Sequence, residues 1–162
     1  MEKHPHLLVC ISGHGYGHLA QVAPVLNALH ALLPTLQLTV RTTIPEPLLR
    51  QRIQPEFRHV AESTDFGMVM MSALEVDVEA SMQAYAVFHA DWPGKVADEV
   101  RRLQAIGADI VMTDVAYLPL AAADLLGIPS VSLCSLNRAD IFRDYCADRQ
   151  GADAIAREME ST

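Results

Sequence analysis

Residues 13–18 read Gly13-His14-Gly15-Tyr16-Gly17-His18, set between an apolar run, HLLVCIS, and a stretch with helical spacing, LAQVAPVLNALHALLP. Three glycines let the backbone turn tightly and approach a ligand closely, and the N-terminus of the helix that follows offers free N–H groups to an anion or an oxygen-rich group. Without a ligand the same segment is a plain tight turn. The dinucleotide fingerprint G-x-G-x-x-G fails because its third glycine would fall on His18, which disfavours a nucleotide-binding oxidoreductase, and no G-K-[ST] makes a Walker loop. His18 stands where loop becomes helix; a cation is disfavoured there, so the ring is suited to act as a base. His14 lies four residues earlier. H-x-x-x-H holds a metal only when both rings share a helix face, which the intervening glycines oppose, so His14 is expected to hydrogen-bond within the loop and no metal site is expected.

Asp114 closes the run DIVMTD and so belongs at the carboxyl end of a strand, on the same rim as the glycine loop. A carboxylate that accepts a hydrogen bond from one imidazole nitrogen fixes the tautomer and makes the other nitrogen a better base, so His18 and Asp114 are candidates for a dyad. The alternative is that Asp114 only caps the helix beginning near Ala116. Asp109 reads as a turn residue, and His4 and His6 as exposed flanks of the first strand.

The elements that must position these residues alternate. Residues 6–12 form a buried strand, and Leu19, Val22, Leu26, Leu29 and Leu33 follow at steps of three and four along a helix that Pro34 ends. Residues 37–45 form a second strand, 46–54 a short helix and 57–62 a third strand. Residues 63–77 read as a long loop whose methionines, Met68, Met70 and Met71, suit either an adaptable apolar surface or the core. Two helices split at Pro93-Gly94 follow, the second ending at Gly107; then come strand 109–114, a helix capped by Gly127, strand 128–135, and a helical C-terminal stretch broken at Gly151. The pattern predicts an α/β protein with a Rossmann-like, doubly wound parallel sheet of about five strands.

The chain has 162 residues, enough for one domain, with 51% hydrophobic and 20% charged residues, which excludes intrinsic disorder. Its net charge of −8 argues against a nucleic-acid partner, since no excess of cations is present to neutralise phosphates. Cys10, Cys134 and Cys146 are an odd, scattered set, expected to be reduced core thiols of a cytoplasmic protein. No signal peptide and no transmembrane segment is expected.

On these residues the chain resembles the N-terminal half of GT-B fold glycosyltransferases. SGHGYGHLAQVAPVLNAL looks like the first loop and helix of a bacterial subgroup related to the lipid-linked N-acetylglucosaminyl transferase of cell-wall synthesis, and the loop is similar to one at the front of plant L-arabinokinase. The resemblance continues through VRTTIPEPLLRQRI and ADIVMTDVAYLPLAAADLLGIPSVSLCSLNRADIF. It implies that His18 deprotonates an acceptor hydroxyl, that Asp114 orients His18, and that Gly13, His14, Gly15, Tyr16 and Gly17, with Ser135 and Asn137, line the acceptor side. It further implies a nucleotide sugar, UDP-linked in relatives, as co-substrate with no other cofactor, and a small-molecule or lipid-linked acceptor. Residues 1–162 are expected to be a single acceptor-binding domain, truncated, with the donor-binding domain absent. The other expectation is a non-catalytic binding domain that pairs with a separate donor-domain partner or, given a mean hydropathy of +0.17, dimerises through the face left by the missing domain.

Overall fold

The computed structural model describes residues 4–161. Along the chain these form β1 (His6–Cys10), α1 (Tyr16–Leu32), β2 (Gln37–Arg41), α2 (Glu46–Arg52), β3 (Arg58–Val60), α3 (Val78–His89), α4 (Trp92–Ile106), β4 (Ile110–Thr113), α5 (Leu118–Leu126), β5 (Ser130–Ser132), α6 (Arg138–Cys146) and α7 (Ala152–Glu160). The strands make one parallel sheet in the order β3-β2-β1-β4-β5, with Val9 of β1 between Val40 and Met112. After β3 the chain returns to the other side of β1. The carboxyl ends of β1 and β4 therefore flank the point where strand order reverses, the crevice in which doubly wound sheets bind ligands.

β1 is central and apolar because both of its faces are covered. Leu7, Val9 and Ile11 pack with Leu19, Val22 and Leu26 of α1 and Leu49 of α2, while Leu8 and Cys10 pack with Val96 and Leu103 of α4 and Ala122 and Ala123 of α5. Helices thus cover both sides of the sheet. A third cluster joins Tyr85 of α3, Phe142 and Cys146 of α6, and Ile155 and Met159 of α7. Gly107 and Gly127 end α4 and α5 in the left-handed conformation, at φ 73° and 64°, as the sequence predicts.

Several expectations need correction. The break between α3 and α4 falls at residues 90–91; Pro93 lies in the first turn of α4, where a missing N–H is harmless, and Asp91 caps that helix through the Gly94 N–H. The strands β3 and β5 hold only three residues each, and all of β5, at the sheet edge, is exposed. Cys134, beyond that edge, is exposed rather than in the core, whereas Cys10 and Cys146 are buried; all three are free thiols. His6 is not a bare flank: its Nε2 lies 2.8 Å from Thr39 Oγ1, and its N–H donates to Asp109 Oδ2. In the segment between β3 and α3, Met70 and Met71 are exposed, while Met68 packs on the third cluster. The end of β2 carries a cation that periodicity hides. Arg41 is 2% exposed, its guanidinium against the fully buried Glu99 of α4 and 3.6 Å from Glu62 Oε2. Among the described residues no helix is long and apolar enough to cross a membrane.

Candidate functional site

The two ends of the switch point bring His18 and Asp114 together. His18 sits in the first turn of α1, and its Nδ1 lies 2.8 Å from Oδ2 of Asp114, which follows β4 and is fully buried. Oδ1 of Asp114 accepts the N–H of Ser12, at 3.1 Å, and that of Val115, at 2.6 Å. The carboxylate is thus clamped by the strand ends on both sides and cannot rotate away from the ring. Burial pushes the Asp114 carboxyl above the usual carboxylate range, against the pull of these two N–H groups and of His18. Asp114 does not cap a helix: the residue preceding α5 is Tyr117, with no side-chain cap. With Nδ1 committed to Asp114, Nε2 is the ring nitrogen that remains free of that contact.

His18 lines a cavity of about 280 Å³ together with His14, Gly15, Gly17, Gln21, Val115, Ser135 and Leu136. A Cβ added at Gly15 or Gly17 would meet nothing within 4 Å, so these glycines leave the cavity open, and no side chain caps the N-terminus of α1 beside it. Gln21 Nε2 donates to Ser135 Oγ at 3.4 Å, linking α1 to the segment after β5. The Nε2 of His14 accepts the N–H of Gly67 at 2.5 Å, and the ring lies against Gly67, where an added Cβ would be 3.5 Å away. Burial lowers the His14 pKa, in keeping with a ring nitrogen that accepts from an N–H.

Five of the expected site residues, His14, Gly15, Gly17, His18 and Ser135, therefore share one cavity with Asp114 behind it. Three others are not among its lining. Gly13 packs where a Cβ would come within 2.0 Å of Thr43 Oγ1, so its role is close approach to the neighbouring loop. Tyr16 lines a different hollow, with Leu48 and Arg52 of α2. Asn137 caps α6 by accepting the Ala139 N–H at 2.7 Å and lines an adjoining cavity, with Cys134 and Arg138, that shares Val115 and Leu136 with the first. Sequence reasoning missed a polar cluster beside the dyad. Asp65 Oδ2 accepts from Arg138 Nη2 at 2.6 Å and from Ser12 Oγ at 3.2 Å, joining the segment after β3 to the start of α6 across the strand ends.

No protein-family model matches the chain. It is 30% identical over 146 residues to the L-arabinokinase of Arabidopsis thaliana, an alignment covering 89% of this chain and 14% of that protein. Among solved structures it is similar to the kitacinnamycin glycotransferase, with a TM-score of 0.54, 16% identity and coverage of 98% of this chain and 38% of that one. Similar too is CalG4, the calicheamicin glycosyltransferase, with a TM-score of 0.52, 15% identity and coverage of 98% and 42%. A third is Phytolacca americana UGT2 complexed with UDP-2-fluoro-glucose and pterostilbene, with a TM-score of 0.52, 16% identity and coverage of 91% and 35%. The chain thus has the fold of one part of a GT-B glycosyltransferase and spans about two fifths or less of each of these proteins.

Proposed function

We propose that this chain is the acceptor-binding half of a nucleotide-sugar-dependent glycosyltransferase in which His18 is the base. The observation that carries the reading is the clamped His18–Asp114 contact, which leaves Nε2 unengaged on a residue that lines a cavity at the switch point of a GT-B fold. In an inverting transfer the acceptor oxygen would bond to the anomeric carbon as its proton passes to Nε2. The bond from that carbon to the diphosphate oxygen would break on the opposite face, its electron pair leaving with the nucleoside diphosphate. Asp114 would hold the ring in the tautomer that receives the proton and stabilise the imidazolium formed.

The uncapped N-terminus of α1 supports a place for donor phosphate without a metal. Donor recognition would belong mainly to a second half, on the same polypeptide or a separate one, and the acceptor would be a small molecule or a lipid-linked group. Three free thiols suit a cytoplasmic setting. The reading is tested by sugar transfer from a panel of UDP-sugars to hydroxyl acceptors, assayed by mass spectrometry with a donor half in place. His18→Ala is expected to abolish the glycosylated product while nucleotide-sugar binding persists; undiminished product contradicts the reading.

A further inference from the structure

The two histidines of the cavity present opposite hydrogen-bonding groups. His18 donates through Nδ1 to Asp114 Oδ2, which leaves a lone pair on Nε2; His14 accepts at Nε2 from the Gly67 N–H, which leaves a proton on Nδ1. Each tautomer is set by a fixed partner, a buried carboxylate in one case and a backbone amide in the other. The rest of the cavity is also hydroxyl-compatible: Gln21 and Ser135 are tied to each other at its edge, and Val115 and Leu136 are its apolar members. A phenolic acceptor with a single hydroxyl would satisfy only one of the two imidazoles.

We infer that the acceptor is a polyhydroxylated, carbohydrate-like molecule, one hydroxyl donating to His18 Nε2 and a neighbouring oxygen accepting from His14 Nδ1–H. This rests on the acceptor-site reading above and names the substrate class of that site. His14 is thereby a specificity residue. It contributes a donor that an acceptor with one hydroxyl cannot use, and loss of a single neutral hydrogen bond corresponds to about tenfold in affinity.

The test is calorimetric titration of the 162-residue protein with methyl α-D-glucopyranoside and with 4-methylumbelliferone. His14→Phe keeps a ring against Gly67 but removes the donor; His14→Asn puts an amide N–H near the place of Nδ1. The glucoside is expected to bind the wild type better than the umbelliferone, to lose about tenfold in H14F, and to recover in H14N, while umbelliferone binding stays unchanged in both. Glucoside affinity unaltered in H14F, an equal loss for both probes, or no glucoside binding by the wild type overturns the inference. Transfer that survives His18→Ala, with the H14F effect intact, would instead overturn the base assignment and leave this binding site standing.

Discussion

His18 Nδ1 and Asp114 Oδ2 lie 2.8 Å apart across the gap where the sheet reverses its strand order, one residue following β1 and the other following β4. Neither the loop after β1 nor the end of β4 makes this contact alone. The parallel register of the two strands brings Cys10 level with Thr113 and so sets the two exits side by side. Asp114 does not line the cavity, so under the proposed function it would act through His18 as a positioning residue. Asp114→Asn keeps an acceptor for the Ser12 and Val115 N–H groups but removes the charge that steadies an imidazolium. Transfer should fall by roughly 10²–10⁴ in kcat, with acceptor KM little changed. Steady-state kinetics across pH reads the difference; a change in KM alone would make Asp114 a structural residue only.

The glycines of the loop should separate by role. Gly13→Ala forces a Cβ to within 2.0 Å of Thr43 Oγ1, whereas with Thr43→Ala the next neighbour is a Cβ at 3.4 Å. The single variant should lose about 1–3 kcal/mol of stability, and the double variant should recover most of it, as read by chemical denaturation. Gly17→Ala meets no atom within 4 Å, so it should fold at least as stably as the wild type yet weaken acceptor binding by filling the cavity.

The buried Arg41–Glu99 pair supplies a prediction away from the site. Glu99→Ala would leave Arg41, at 2% exposure, without its main counter-charge, a loss of about 3–5 kcal/mol. Replacing both with apolar residues, Arg41→Met with Glu99→Leu, should cost far less. Urea midpoints of the three proteins decide the matter.

Stability should also depend on pH through His89. Its Nδ1 lies 2.7 Å from Glu158 Oε2 and its Nε2 2.9 Å from the Tyr117 hydroxyl, with its ring stacked on Trp92 and Tyr117; burial lowers its pKa below the ordinary 6.5, against the pull of Glu158. A group whose folded pKa is depressed binds its proton more readily when unfolded, so stability falls as pH drops below about 6.5 and levels off beneath the folded value. The His14 shift acts in the same direction. Thermal unfolding of His89→Gln should show a shallower decline between pH 6.5 and 5 than the wild type; an identical slope would remove His89 from the account.

Much of the fold, and the meeting of His18 with Asp114 beside the glycine loop, were legible because local signals coincide with the global arrangement. The β1 strand is buried on both faces and so reads as an unbroken apolar run, α1 shows its periodicity, and Asp114 stands at a strand end where doubly wound sheets place functional groups. Asp65 and Arg138 were not legible. Asp65 lies in a segment without periodicity, Arg138 looks like a solvated cation at a helix start, and only folding places them 2.6 Å apart. Tyr16 and Asn137 fall outside the lining of the His18 cavity for a different reason. Proximity in sequence to a functional loop does not fix which way a side chain points, and the turn of α1 sends Tyr16 toward α2. For Asn137 a signal was available, since Asn immediately before a helical run is a common N-cap.

A crystal structure of the protein with a hydroxyl acceptor bound tests the central claim most directly. If His18 is the base, an acceptor hydroxyl lies about 2.6–3.2 Å from its Nε2, with His18 Nδ1 still on Asp114. An acceptor seated instead in the neighbouring cavity beside Cys134 and Arg138, with His18 Nε2 uncontacted, would contradict it.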